Sequence, residues 1–272
     1  MSLVSTEWLN KNHSKVKIID ASWHMPNTKR IAYAEYKEQH IKNAIFFDID
    51  KFSDKKTELP HMLPDENEWE KIISNLGISN EDRIVVYDNS DVISSCRCWY
   101  SFIFFGYDPN LISVLDGGLI KWKKENREIT DKIPNYEKKT YKAKKIANLV
   151  KTKDEIDKNI LEKKFKVVDA RSKNRFLGLE KEPRPGLKSG SIKDSYCLPF
   201  SELINPDNRT FLDKNLIKEK FKQITIDKEN NVVFSCGSGI TAAVLSLAYS
   251  LINDNYLPTV YDGSWAEYGK IN

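Results

Sequence analysis

The stretch that decides the fold runs from Val232 to Ala242 and reads VVFSCGSGITA. Its first residues are β-branched or aromatic, which favours a short strand. From Ala242 to Leu251 the sequence AAVLSLAYSL contains neither glycine nor proline, which favours a helix. Cys236 therefore follows directly on a predicted strand, in a loop that leads to a helix beginning near Thr241.

The loop after this strand has the residues needed to hold an anion. Gly237 and Gly239 tolerate backbone angles that other residues resist, so successive N–H groups can point inward. The start of the helix adds further N–H groups and the positive end of its dipole, so we expect a thiolate at Cys236 rather than a thiol. The alternative is an ordinary buried cysteine, since free cysteine is among the most buried residue types.

The sequence CGSGITA, from Cys236 to Ala242, resembles the active-site loop of the rhodanese superfamily, specifically of its 3-mercaptopyruvate sulfurtransferases. The resemblance extends over almost the whole chain. Relatives that prefer thiosulfate carry basic side chains just after the cysteine, which suit a dianionic substrate, whereas this loop has Gly237 and Ser238. The resemblance implies a sulfur-transfer enzyme whose substrate site is lined by Gly237, Gly239, Ile240 and Thr241.

The length of 272 residues suits two domains of about 100 to 150 residues each. A hydrophobic content of 40% and a charged content of 30% are typical of an ordinary globular protein. The net charge of +4 is spread over many lysines and acids, so we expect no nucleic-acid partner. No signal peptide and no stretch long enough to span a membrane is seen, so we expect a cytoplasmic protein with no membrane partner.

The chain has four cysteines, Cys96, Cys98, Cys197 and Cys236. They form no CxxC pair and no cluster with histidine, so neither a metal site nor a disulfide framework is predicted. Cys96 and Cys98 lie in an apolar run that favours a helix, and we interpret them as packing residues, with a redox pair as the alternative. We expect reduced thiols and no cofactor other than a persulfide on Cys236.

The chain contains an internal duplication with a period of about 150 residues. Four landmarks recur in the same order: IIDA at 18–21 and VVDA at 167–170, IKNA at 41–44 and IKDS at 192–195, RIVVYD at 83–88 and NVVFSC at 231–236, VLDGGL at 114–119 and VYDGSW at 260–265. Each repeat alternates short β-branched runs with helical stretches. This pattern predicts an α/β fold in which each repeat is a mostly parallel sheet with helices on both faces.

The duplication predicts two domains, and the resemblance implies that both are rhodanese-like. We expect an N-terminal domain over residues 1–129, a lysine-rich linker over 130–150 and a catalytic domain over 151–272. In open parallel sheets, ligands bind at the carboxyl ends of strands, where Cys236 is predicted to lie. The matching residue of the first repeat is Asp88, and a carboxylate cannot carry sulfane sulfur. The N-terminal domain is therefore predicted to be catalytically silent.

Residues 175–186, RFLGLEKEPRPG, resemble a second sulfurtransferase pattern, and their glycines and prolines predict a loop. A guanidinium presents a rigid fork of donors to a carboxylate. Arg175 and Arg184 are therefore predicted to hold the carboxylate and keto oxygen of 3-mercaptopyruvate. The alternative is that both are surface arginines paired with Glu180 or Glu182.

The first repeat also contributes candidate catalytic residues. In the mercaptopyruvate branch, an aspartate and a histidine placed like Asp50 and His61 accompany a serine two residues after the cysteine, here Ser238. The resemblance implies that this set moves the substrate proton, with Asp50 orienting the imidazole at an interface of the two domains. A histidine between prolines is otherwise a turn residue.

The predicted reaction moves sulfur from 3-mercaptopyruvate to Cys236, releases pyruvate and passes the sulfur to cyanide, a small thiol or thioredoxin. We expect the chain to act as a monomer. A thiosulfate:cyanide sulfurtransferase is the first alternative, and a sulfur-relay module without turnover is the second. A phosphatase or arsenate reductase is a more distant one, because the loop is short and contains no arginine.

Overall fold

The computed structural model describes residues 2–271 and divides into two compact units. The N-terminal unit comprises the residues up to Asp54, Pro64–Ile146 and Pro206–Thr210. The C-terminal unit comprises Lys55–Leu63, Ala147–Asn205 and the residues from Phe211 onward. Each unit thus contains a short segment from the other half of the chain, and His61 belongs to the C-terminal unit.

The N-terminal unit is built on a five-stranded parallel sheet in the order β1-β6-β5-β2-β4. Its strands are β1 (Leu3–Val4), β2 (Lys17–Asp20), β4 (Ala44–Phe46), β5 (Ile84–Tyr87) and β6 (Ile112–Leu115), while β3 (His40–Ile41) and β7 (Ile129–Thr130) form a small antiparallel pair. Its helices are α1 (Thr6–Asn12), α2 (Ala32–Glu38), α3 (Glu66–Asn75), α4 (Ser95–Phe104) and α5 (Gly118–Lys124). Short 3-10 turns occupy His13–Lys15 and Pro26–Thr28.

Successive side chains of each strand point to opposite faces of this sheet, and both faces carry apolar residues. Helices cover both faces. Ile18 and Val85 pack in one apolar cluster with residues of α1, α2 and α5. A second, aromatic cluster joins α3 and α4, in which Trp69 stacks on Phe105 and meets Phe102 edge-on. The segment after β7 has no regular structure of its own, yet it packs on this unit through the fully buried Tyr141.

The C-terminal unit repeats the same architecture. Its five parallel strands are β8 (Val150–Lys151), β9 (Lys166–Asp169), β10 (Tyr196–Cys197), β11 (Val232–Ser235) and β12 (Val260–Tyr261), in the order β10-β9-β11-β12-β8. Its helices are α6 (Lys153–Glu162), α7 (Lys173–Phe176), α8 (Lys214–Gln223), α9 (Ile240–Ser250) and α10 (Ser264–Tyr268), with 3-10 turns at Ala147–Leu149 and Phe200–Leu203. Read from β8 to β10, this order matches the order from β1 to β4, which confirms the duplication seen in the sequence.

Two apolar clusters again lie on opposite faces of the sheet. Val167 and Val233 pack with Ile156 of α6 and Trp265 of α10. On the other face, Phe234 meets Phe221 of α8 and Tyr249 of α9. The predicted α/β class, with helices on both faces of each parallel sheet, is therefore confirmed.

Equivalent strands end immediately before Asp88 and Cys236, the two residues that the duplication aligns. Strand β5 ends at Tyr87 and is followed by Asp88, whereas β11 ends at Ser235 and is followed by Cys236. Asp88 accepts N–H groups from Ser90 and Ser95, and burial raises the pKa of its carboxyl. Cys236 thus lies at the carboxyl edge of an inner strand, where open α/β sheets bind their ligands. Within residues 2–271, no helix is long and apolar enough to cross a membrane.

Candidate functional site

The loop after β11 surrounds the sulfur of Cys236 with backbone donors. The N–H groups of Ser238 and Gly239 donate to Cys236 Sγ at 3.4 and 3.1 Å. Gly239 caps α9 with a φ of 82°, a left-handed conformation that only glycine adopts without cost. The helix begins at Ile240, one residue earlier than the sequence predicts, so Ile240 and Thr241 form its first turn.

Helix α10 makes hydrogen bonds with the backbone of the loop that follows β11. The N–H groups of Trp265 and Ala266 donate to the carbonyls of Cys236 and Gly237, each at 2.9 Å. The Cys236 N–H donates to Ser264 Oγ at 3.2 Å. These bonds fix the backbone on the side of the loop away from the sulfur, so the donors that face the sulfur are preorganised.

The surroundings of Cys236 differ from those of the other buried cysteines. Cys96 and Cys98 lie inside α4, and burial raises the pKa of both thiols well above the usual range. Cys236 is equally buried, with 2% exposure, but its sulfur accepts two N–H bonds. The contacts support the interpretation of Cys96 and Cys98 as packing residues and of Cys236 as a reactive one.

Ser238 contacts two other predicted site residues, His61 and Arg184. Its Oγ lies 2.9 Å from His61 Nδ1 and accepts a hydrogen bond of 3.2 Å from Arg184 Nη2. His61 is buried and has a φ of 62°, so its backbone is left-handed although it is not a glycine. Asp262 Oδ2 accepts the N–H of Leu63 at 2.9 Å, which anchors the segment containing His61.

Arg175 lies in the short helix α7 and not in a loop, so the prediction of a continuous loop from residue 175 is wrong. Ser172 caps this helix by accepting the N–H of Arg175, which explains why a turn of helix forms there. Arg175 makes a two-pronged ion pair with Glu182, at 3.2 Å from Nε and 2.6 Å from Nη2. The pairing with Glu182 that the sequence offered as an alternative is therefore present.

Gly237 matters for the space around it and not for its backbone angle, since its φ is not in the left-handed region. A Cβ at this position would lie 3.2 Å from Arg175 Nη2 and 3.6 Å from Arg184 Nη1. The two guanidinium groups therefore converge on the loop at Gly237.

The site contains buried residues that the sequence reasoning missed. Arg171, 2% exposed, binds Asp169 through Nε and Nη2 and donates to Glu182 Oε1 at 2.7 Å. Its guanidinium also lies over the Trp265 ring, 4.4 Å from the ring centroid. The sequence signal for this residue was an arginine two residues after Asp169, which ends β9. The sequence alone does not show which acid that arginine pairs with.

Asp50 belongs to the N-terminal unit, where Trp23 Nε1 donates to its Oδ2 at 3.0 Å. Its predicted effect on the His61 imidazole stays a prediction. Among residues 2–271, no three His, Cys, Asp or Glu side chains are grouped so that they could hold a metal ion.

Comparison with known proteins places this geometry in a family. A model of the rhodanese-like domain matches residues 5–125 and again residues 152–270. The thiosulfate/3-mercaptopyruvate sulfurtransferase 1, mitochondrial, of Arabidopsis thaliana is 36% identical and covers 98% of this chain and 75% of its own length. The 3-mercaptopyruvate sulfurtransferase of Mus musculus is 36% identical, with coverages of 98% and 91%.

Among solved structures, SseA from Escherichia coli, a 3-mercaptopyruvate sulfotransferase with the rhodanese fold, superposes with a TM-score of 0.87. It is 28% identical, and the match covers 97% of this chain and 99% of that chain. The likeness thus extends over both duplicated units.

Proposed function

Because this chain belongs to the rhodanese family, with one rhodanese-like domain in each half, we propose that it is a 3-mercaptopyruvate sulfurtransferase. It moves sulfur from 3-mercaptopyruvate to a thiophilic acceptor through a persulfide on Cys236 and releases pyruvate. The observation that carries the proposal is the pair of N–H bonds to Cys236 Sγ beside a serine that His61 and Arg184 both contact.

The reaction begins with attack of the Cys236 thiolate on the sulfur of 3-mercaptopyruvate. An S–S bond forms, the C–S bond of the substrate breaks, and its electron pair leaves with the pyruvate enolate. The proton of the substrate thiol ends on the enolate carbon, so the products are pyruvate and an ionised persulfide. The loop N–H groups of Ser238 and Gly239 stabilise the negative charge on sulfur throughout.

We assign the proton transfer to His61 and Ser238, whose Nδ1 and Oγ are within hydrogen-bond distance. Arg175 and Arg184 bind the carboxylate and keto oxygen of the substrate, because their side chains converge at Gly237 beside the sulfur. Asp50 orients the imidazole in this proposal. The persulfide is the only sulfur carrier, so no cofactor takes part.

The acceptor is a thiol in the cell, either a small thiol or reduced thioredoxin, and cyanide replaces it in an assay. Four free cysteines support a reducing compartment, and we propose the cytoplasm. One relative is a mitochondrial protein, so fractionation of cells that express a tagged chain is the measurement that decides. We also propose a monomer, which size-exclusion chromatography with light scattering tests.

The first prediction concerns the nucleophile. Cys236→Ser removes the sulfur but keeps a side chain of similar size, so pyruvate release from 3-mercaptopyruvate is expected to stop while the thermal unfolding midpoint stays close to the wild-type value. Cys197→Ser, at the edge strand β10, serves as the control and is expected to keep its activity. Continued turnover of Cys236→Ser would exclude the mechanism.

Thiosulfate:cyanide sulfurtransferase is the second candidate, because a relative is named for both donors. Gly237 and Ser238 stand where a dianionic donor would favour basic side chains. Pyruvate formation from 3-mercaptopyruvate and thiocyanate formation from thiosulfate, measured at equal enzyme and cyanide concentrations, separate the two. Persulfide exchange with a protein donor in the absence of pyruvate turnover would instead indicate a sulfur-relay module.

A further inference from the structure

The positive charge beside the sulfur is compensated by buried carboxylates. Glu182, whose side chain is 2% exposed, receives Arg175 on one side and Arg171 on the other. Arg171 is in turn held by Asp169 through three hydrogen bonds of 2.7 to 3.1 Å. Two guanidinium groups are thus balanced by two carboxylates, and every partner lies in the C-terminal unit.

Glu182 occupies the edge of Arg175 formed by Nε and Nη2. Because this carboxylate accompanies it, Arg175 brings little net charge to a substrate. Arg171 also binds Glu182, at 2.7 Å, and is itself held by Asp169 and by stacking on the Trp265 ring.

We propose that Glu182 sets the donor preference of this site: by neutralising Arg175 it favours a monoanionic donor, such as an α-keto carboxylate, over a dianion such as thiosulfate. The inference rests on the proposed function. Coulomb energy scales with the charge of the ligand, so a carboxylate near the site repels a dianion about twice as strongly as a monoanion. Glu182 is thus a specificity-determining residue that acts through Arg175.

The test is the ratio of kcat/KM for thiosulfate to kcat/KM for 3-mercaptopyruvate. Glu182→Gln keeps the shape of the side chain and removes its charge, and it is expected to raise this ratio by about tenfold. Glu182→Asp keeps the charge and is the matched control, with a ratio expected to stay within about twofold of wild type. A folded Glu182→Gln protein with the wild-type ratio would overturn the proposal.

A second pair of variants covers the case in which Glu182→Gln does not fold. Arg175→Gln removes a cation and is expected to lower the ratio, whereas Arg175→Gln/Glu182→Gln restores the charge balance of the wild type and is expected to return the ratio towards it. If the ratio stays at the low value of Arg175→Gln in the double variant, the compensation that we assign to Glu182 does not exist.

A binding measurement separates this inference from the proposed activity. Pyruvate, a monoanion, and sulfate, a dianion, are each tested for protection of Cys236 against alkylation by iodoacetamide. Glu182→Gln is expected to improve protection by sulfate relative to pyruvate by about tenfold, even if the wild type released no pyruvate from 3-mercaptopyruvate. Equal protection ratios in wild type and Glu182→Gln would reject the inference, while active wild-type enzyme would leave the function standing.

Discussion

Gly239 is the residue whose backbone conformation places a donor on the sulfur. Its φ of 82° directs its N–H to Cys236 Sγ at 3.1 Å and starts α9 in the next residue. A side chain in this conformation is unfavourable because Cβ approaches the following carbonyl oxygen. The reactivity that we propose for Cys236 therefore depends on a position that has no functional group of its own.

Gly239→Ala is expected to lower the free energy of unfolding by about 1 kcal/mol. It is also expected to lower kcat for pyruvate release by at least about tenfold, because the loop donors move away from the sulfur. Gly106→Ala is the control for lost stability alone. Its φ is 77° and its Cβ would lie 2.6 Å from the Lys144 carbonyl oxygen, yet it belongs to the N-terminal unit.

We compare Gly239→Ala and Gly106→Ala by denaturant unfolding and by steady-state kinetics at a temperature where both are folded. The control is expected to lose stability and keep its kcat. Equal kcat values for Gly239→Ala and wild type would show that the loop donors do not contribute to the reaction.

At the scale of elements, the segment Lys55–Leu63 has no helix or strand of its own, so its position depends on individual bonds. The N–H of Leu63 donates to Asp262, and the His61 side chain contacts Ser238. The left-handed backbone of His61 is costly for a residue with a side chain and persists only where its surroundings fix it. We therefore expect Asp262 to position the imidazole by holding the Leu63 N–H.

Asp262→Ala removes the acceptor of the Leu63 N–H and is expected to cost about 1–3 kcal/mol of stability. Because His61 then loses its fixed position, kcat for 3-mercaptopyruvate is expected to fall by about tenfold or more, with a smaller change in KM. Asp262→Asn retains an acceptor oxygen and is expected to recover most of kcat. An equal loss of kcat in both variants, measured in the pyruvate assay, would contradict this role.

The elements also show what a sequence could and could not supply here. The strand before Cys236 and the helix after it followed from local patterns, because β-branched runs and glycines act within a few residues. The equivalence of Cys236 and Asp88 followed from the internal duplication. The contact of His61 with Ser238 followed only from resemblance, since the two are 177 positions apart. The choice of Glu182 over Glu180 by Arg175 was open, because it depends on Arg171 and Trp265, which only the packed fold brings together.

At the scale of the whole molecule, the two units give an equivalent buried aspartate different partners. Asp20 ends β2 and Asp169 ends β9, and both are about 1% exposed. Asp169 has the guanidinium of Arg171 as its partner. Asp20 has hydrogen bonds from Ser22, but burial outweighs them and raises the pKa of its carboxyl from 3.8 to about 6.

The pKa of Asp20 gives the sign of a pH effect. A carboxyl with a raised pKa binds its proton more tightly in the folded chain, so its contribution is most favourable below pH 3.8 and is lost as the pH rises through about 6. The shift corresponds to about 3 kcal/mol. Asp20→Asn is therefore expected to be more stable than wild type at pH 7, by at most that amount, with the difference shrinking towards pH 4.

Asp169→Asn is the matched variant in the C-terminal unit, and it is expected to be less stable than wild type at pH 7 because Arg171 keeps Glu182 but loses the carboxylate of Asp169. Unfolding midpoints of both variants and of wild type between pH 4 and pH 7.5 make the measurement. Shifts of the same sign at pH 7 would show that the two aspartates are not distinguished by the guanidinium.

Each unit contains a short segment from the other half of the chain, and this has a consequence for biosynthesis. Residues 206–210 belong to the N-terminal unit, so a nascent chain cannot complete that unit until most of the protein has been translated. Residues 55–63 belong to the C-terminal unit, so a gene divided after Ile146 would encode a second polypeptide that has Cys236 but lacks His61. The two repeats share one sequence pattern, yet truncation to either half of the chain would remove a segment that the remaining unit contains.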